Sequence, residues 1–303
     1  LPAADPLREG GELPGSIIHM DPPVHTDWRK VASRWFTPRA VARLEHEVRR
    51  ITVDVLDGVD PTQSIDLVDQ VTAPIPALVI AELLGMGEVP RGELRRWSDA
   101  CIESPDDEPD GEEQVANMLA VGEMLEYLTQ QVQVRRTDPR DDLLSVLVHA
   151  EVEGRPIEDH EVVMYCLSVL VAGNETTRHL LSGMTLALFE HPDQRAALVA
   201  DRSPDALATA VEESIRWVTP IQAFTRTATV DTEVGGQAVA EGDWVVMLYA
   251  SANRDEAVFG DEADVFDASR PANPAHLAFG FGEHLCLGAA LARMEGRVVL
   301  DEL

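Results

Sequence analysis

One cysteine stands apart from the other two by its surroundings. The run Ala278-Phe279-Gly280-Phe281-Gly282-Glu283-His284-Leu285-Cys286-Leu287-Gly288 is glycine-rich and leads into a helical pattern at Ala289-Ala290-Leu291-Ala292-Arg293. Glycines let a backbone turn sharply and pass close to a flat group. A helix starting at Cys286 would aim its unpaired amide N–H groups at the sulfur and favour the thiolate. Such a thiolate can serve as axial ligand of a haem iron, where it favours O–O cleavage. A lone cysteine would read as a small core residue; the spaced glycines make the difference here.

Three further groupings carry chemistry. Val171-Ala172-Gly173-Asn174-Glu175-Thr176-Thr177-Arg178 lies midway along an apolar helical run. A mid-helix glycine weakens the helix and a threonine can bond back to its carbonyls. A local opening of the helix is therefore expected. Glu175 and Thr176 offer an acid and an alcohol, the pair a proton relay needs. The plainer reading is a packing glycine beside surface polar residues. Glu213-Ser214-Ile215-Arg216 puts an acid and a base on one helical face, a pattern common on exposed helices. His25 and Arg29 in Pro23-Val24-His25-Thr26-Asp27-Trp28-Arg29 also share a face, and taken singly each reads as a surface charge.

Taken in order, these segments resemble the cytochrome P-450 family of haem-thiolate monooxygenases. The match rests on Phe279, Gly280, Gly282, His284, Cys286, Gly288 and Leu291-Ala292-Arg293, then on Ala172-Gly173 with Glu175-Thr176, on Glu213-x-x-Arg216, and on His25 with Arg29. The resemblance implies haem b with Cys286 as iron ligand, and Ala172 and Gly173 as the small residues over it. It implies Glu175 and Thr176 in proton delivery, and His25, Arg29, Arg226 and His284 on the propionates, whose buried charges need cationic partners. Phe279 would pack near the sulfur. A structural triad of Glu213, Arg216 and Arg270 would hold the loop that leads to Cys286. The family's N-terminal helix and first strands, and the strands after its last helix, are missing. The chain is thus expected to be a fragment carrying a single catalytic domain over residues 1–303.

Composition narrows the partners. With 54 acidic and 24 basic residues the net charge is −30, which argues against nucleic acid or an anionic membrane surface as a partner. Cys101, Cys166 and Cys286 are odd in number and widely spaced. A disulfide framework or zinc site is not expected, and a reducing cytoplasm fits. The apolar run Val162 to Gly173 is too short to span a bilayer.

The elements that must position these groups are mostly helical. Helices are expected from about 23 to 34, 38 to 56, 72 to 84, 91 to 102, 113 to 135, 141 to 149, 157 to 189 and 204 to 218, with a last one from Cys286 onward. Ser64 to Val68 suggests a short strand. Alternation from Arg226 to about Ala250, with a turn at Gly235-Gly236, predicts a small β region. Residues 1–18, 251–278 and the acidic stretch Glu103–Glu113 read as irregular. The fold class is mainly α with a small β region.

The resemblance implies a monooxygenase that takes two electrons from a ferredoxin or flavodoxin-like donor and its reductase. Arg29, Lys30, Arg34 and Arg293 are the basic residues expected to dock it. Ile221, Ala223 and Phe224 favour a hydrophobic small-molecule substrate, steroid, terpenoid or fatty-acyl in kind. The alternatives are a secondary-metabolite tailoring hydroxylase, a peroxide-using relative and a catalytically silent haem binder. Glu175-Thr176 counts against the second of these, and an intact Cys286 and Thr176 count against the third.

Overall fold

The computed structural model describes residues 16–102 and 111–303. In chain order the helices are α1 Val24–Ser33, α2 Pro38–Val41, α3 Glu45–Leu56, α4 Pro74–Leu83, α5 Arg91–Ile102, α6 Glu112–Thr137, α7 Leu143–Val148, α8 Asp159–Glu190, α9 Pro192–Ala200, α10 Pro204–Val218, α11 Tyr249–Ala252, α12 Glu256–Phe259 and α13 Ala289–Glu302. The strands are β1 Glu151–Val152, β2 Arg155–Pro156, β3 Ala223–Thr227, β4 Thr232–Val234, β5 Gln237–Val239 and β6 Trp244–Leu248. The readings of residues 1–15 and 103–110 as irregular fall outside the described residues.

Local chemistry sets the helix starts. Thr37, Asp142 and Ser203 each accept a backbone N–H from the residue three further on, and Pro38 and Pro204 fill first-turn positions that need no donor. The same device overturns the strand expected at Ser64–Val68. Asp66 Oδ1 accepts the Asp69 N–H at 3.0 Å, and the chain turns into a π-helical turn, Val68–Thr72, that leads into α4. The single helix expected over 38–56 is broken. Arg43 and Leu44 donate to the carbonyls three residues back, which tightens the chain between α2 and α3. Within 251–278 lie two short helical turns, α11 ending at Ala252 and α12.

The chain divides into two compact units, with the change falling inside α8. The first unit holds residues up to Arg178 and Leu287–Glu302. Its core includes Trp28, stacked on Tyr165 with ring centroids 6.1 Å apart, and Ile75, Ile80, Leu128, Leu143 and Val298. α13 is tied to α3 by Arg49–Asp301 at 2.8 Å, Arg49–Glu302 and Arg297–Glu45 at 2.9 Å. The second unit, His179–Cys286, contains α9 to α12 and strands β3 to β6, with α11 in contact with both α10 and β3. Strand β3 pairs antiparallel with β6, Arg226 opposite Val245. Strands β4 and β5 form a hairpin whose turn residues, Gly235 and Gly236, both have positive φ, the type I′ requirement.

Candidate functional site

In the second unit, the Cys286 loop is built from two tight turns and one closing bond. Leu277 C=O accepts from Gly280 N–H at 2.8 Å, and Gly282 C=O accepts from Leu285 N–H at 3.1 Å across the 3₁₀ turn Gly282–His284. Gly280 and Gly282 take φ of +74° and +77°, conformations that side chains other than glycine's rarely adopt. The Cys286 N–H donates to Phe279 C=O at 2.9 Å and closes the loop. Cys286 is exposed, and His284 and Phe279 are half-buried. One expectation is corrected: the last helix does not start at Cys286. Its first residue is Ala289, with Gly288 C=O accepting from Ala292 N–H at 2.9 Å. Gly288 thus stands as the residue before the first turn of α13, and the cysteine's own amide is bound to the loop.

The same unit holds a largely buried ion cluster. Arg216 grips Glu213 with two parallel bonds of 2.7 and 2.8 Å and gives its remaining donors to the carbonyls of Asn253, Ala263 and Val265. Arg270 Nε lies 3.1 Å from Glu213 Oε2, and Asp267 N–H also donates to Glu213. Glu213, Arg216 and Arg270 are thus brought together. Both members of the bidentate pair are buried, so their mutual bonds replace the water each has lost.

Asn253 was not singled out in the sequence, yet it links this cluster to the cysteine loop. Fully buried, it donates to Thr219 Oγ1 at 2.8 Å and accepts from Leu277 N–H at 2.6 Å, while its own carbonyl takes the Arg216 bond. Nothing local in Ser251-Ala252-Asn253-Arg254-Asp255 marks it, because both side-chain partners are more than 20 residues away. Arg226 is exposed on β3, its guanidinium 5.9 Å from the Phe224 ring centroid.

In the first unit, α8 is helical without interruption through Ala172–Thr176, so the expected local opening does not occur. Thr176 Oγ1 donates to Ala172 C=O at 2.7 Å. Gly173 has a packing reason: a Cβ there would come within 2.5 Å of Ile80 Cδ1 on α4. Ala172 is exposed and Glu175 half-buried. Asn174, facing the other way, is buried and bonds Ser98 on α5. On α1, His25 is buried and Arg29 half-buried.

The three thiols differ in setting. Burial pushes Cys101 up to about 11 and Cys166 well above the usual thiol value, which makes both poor nucleophiles and ligands. Cys286 alone is exposed. Among the described residues no group of three or more His, Cys, Asp or Glu could hold a metal ion. A Cβ added at Gly282 or Gly288 would meet nothing within 4 Å. An exposed thiol flanked by such open backbone fits a flat macrocycle.

Comparison with known proteins agrees. The family model for "Cytochrome P450" matches residues 205–303. The chain is 38% identical to linalool 8-monooxygenase of Pseudomonas putida, over 98% of this chain and 72% of that protein. It is 39% identical to steroid C26-monooxygenase of Mycolicibacterium smegmatis, over 95% of this chain and 71% of that protein. Among solved structures, a mutant of P450 EryK in complex with erythromycin B matches with a TM-score of 0.86 and 39% identity, covering 98% of this chain and 76% of that one. The chain belongs to the cytochrome P450 family. It has the fold of that family, it is a P450 monooxygenase, and its cofactor is haem b with a thiolate-ligated iron. Among the described residues no helix is long and apolar enough to cross a membrane.

Proposed function

We propose that residues 1–303 act as one catalytic domain that hydroxylates a hydrophobic small molecule, RH + O2 + 2 e⁻ + 2 H⁺ giving ROH + H2O. The electrons come from a ferredoxin or flavodoxin-like donor with its reductase. The observation that carries this reading is Cys286, exposed at the end of a loop pinned by the Phe279 carbonyl and two positive-φ glycines.

Cys286 is the iron ligand in this proposal. Two-electron activation of dioxygen is the chemistry that bound haem supplies. Phe279, Gly280 and Gly288 shape the backbone around the sulfur. In the unit that carries Cys286, Arg226 and His284 bind propionate; in the other, His25 and Arg29 do the same. Ala172 and Gly173 keep α8 slim, and Glu175 and Thr176 deliver protons. In its resting form the Thr176 hydroxyl proton is held on Ala172 C=O, so delivery requires that bond to exchange for one to an incoming acceptor. The Glu213–Arg216–Arg270 cluster is structural. Arg29, Lys30, Arg34 and Arg293 are proposed to meet an acidic donor protein.

The substrate proposal is a steroid-, terpenoid- or fatty-acyl-like molecule. It rests on apolar Ile221, Ala223 and Phe224 and on the likeness to enzymes named for linalool and steroids. Likeness to a post-tailoring hydroxylase of himastatin biosynthesis supports the runner-up, tailoring of a secondary metabolite. Binding titrations that follow the haem spin-state band separate the two. A response to sterols or fatty acids supports the first, and a response to macrolides alone overturns it. Thr176→Ala is expected to leave the cofactor spectrum intact and to lower product formed per electron pair by about 10²-fold. Unchanged coupling removes Thr176 from proton delivery.

A further inference from the structure

The His276 side chain, only 5% exposed, lies ten residues before Cys286 and carries two contacts that no local motif announces. Its Nδ1 accepts the Ala278 N–H at 3.2 Å, and its Nε2 lies 3.1 Å from Glu212 Oε1 on α10, within ion-pair range but off the line of a hydrogen bond. A ring nitrogen that accepts has no proton, so the neutral ring carries its proton on Nε2, toward the carboxylate. Its ring also lies 5.7 Å from that of Phe279, tilted by 44°.

Ala278 N–H is one end of a short relay. Leu277 N–H is held by Asn253 Oδ1, Leu277 C=O by Gly280 N–H, and Phe279 C=O by Cys286 N–H. His276 fixes the Ala278 N–H and with it the peptide plane that carries the Leu277 carbonyl; that carbonyl holds the Gly280 N–H, whose own peptide plane carries the Phe279 carbonyl that accepts from Cys286. We propose that His276, oriented by Glu212, is a positioning residue for the iron-ligating loop. Its Nδ1 closes an i to i+2 turn of the kind that asparagine side chains make, and this turn keeps the sulfur in its ligating place. The proposal rests on the reading of Cys286 as iron ligand.

Asparagine at 276 retains an acceptor near the Nδ1 position and loses Nε2. Glutamine places its amide near Nε2 and loses the near acceptor. Phenylalanine keeps the ring and loses both nitrogens. The haem-loaded chain and its His276→Asn, His276→Gln and His276→Phe variants are reduced under CO. The measurement is the rate at which the strongly red-shifted Soret band decays to the band of an iron without thiolate. Far-UV melting of each variant confirms folding. The expected result is a parent-like rate for His276→Asn and a rate at least 5-fold faster for His276→Gln and His276→Phe. Parent-like decay in His276→Gln and His276→Phe overturns the proposal. Equal acceleration in all three overturns it as well, since the near acceptor then makes no difference. A parent without the red-shifted band fails at the earlier step, the assignment of Cys286, and is recognised before any variant is compared.

Discussion

The two regions that carry the proposed chemistry are held by different forces. Around the cysteine loop the scaffold is polar. Glu213, Arg216, Arg270 and Asn253 bond one another and backbone groups from 253 to 277. Around Ala172–Thr176 the scaffold is steric. Gly173 leaves room for Ile80 of α4, a helix whose buried residues are apolar, and Asn174 adds a polar tie to Ser98 on α5. A loop has no repeating bonds of its own and needs each amide placed individually. A helix satisfies its own backbone and needs only shape around it. Directional bonds fix a ligand loop to a fraction of an ångström, and close packing fixes where a helix lies.

The comparison can be broken most forcefully at Arg216. Arg216→Ala leaves Glu213 buried without its bidentate partner, and a loss of about 3–5 kcal/mol is expected, read as a lowered urea midpoint. Arg216→Lys should recover only part of it, because one ammonium cannot reach five acceptors. A loss near zero would mean the cluster is ornamental. On the steric side, Gly173→Ala is expected to cost about 1–3 kcal/mol by overpacking. Combined with Ile80→Ala, the double variant should be less destabilised than the sum of the two singles. Strict additivity would place the clash elsewhere. Asn253→Ala should fall in the same range, about 1–3 kcal/mol, since it strands the Leu277 N–H.

The smallest effect sharpens the contrast from the opposite side. Glu295 on α13 is as buried as Glu213, but its Oε2 has no partner, and burial raises its pKa well above the usual carboxylate value. A raised carboxyl keeps its proton in the folded state while the unfolded chain gives it up. Stability therefore falls as pH rises above the ordinary carboxylate value, until the folded-state value is reached. Glu295→Gln removes this dependence. Its melting temperature should match the parent's near pH 4, about the unperturbed value, and exceed it increasingly at higher pH. A gap independent of pH would show that Glu295 is ionised in the fold.

Much of this was legible in the sequence because it is local. The turn glycines 280 and 282, the Ser203-Pro204 start of α10, the Gly235-Gly236 turn and the Glu213–Arg216 spacing each act within a few residues. Distant partners were not legible. Gly173 meets Ile80, Asn253 meets Thr219 and Leu277, and Glu212 meets His276, each pair separated by a stretch of chain that no periodicity spans. Two local misreadings have local causes. Ser64–Val68 looked like a strand until Asp66 capped a helical turn, and the helix expected at Cys286 waits for Ala289 because the Cys286 amide belongs to the loop.

The central claim is tested most directly by the reduced, CO-bound difference spectrum of the haem-supplemented chain beside Cys286→Ala. The account expects a strongly red-shifted Soret band in the parent and none in the variant. A red-shifted band that survives in Cys286→Ala, or a haem-loaded parent that lacks one, would contradict it.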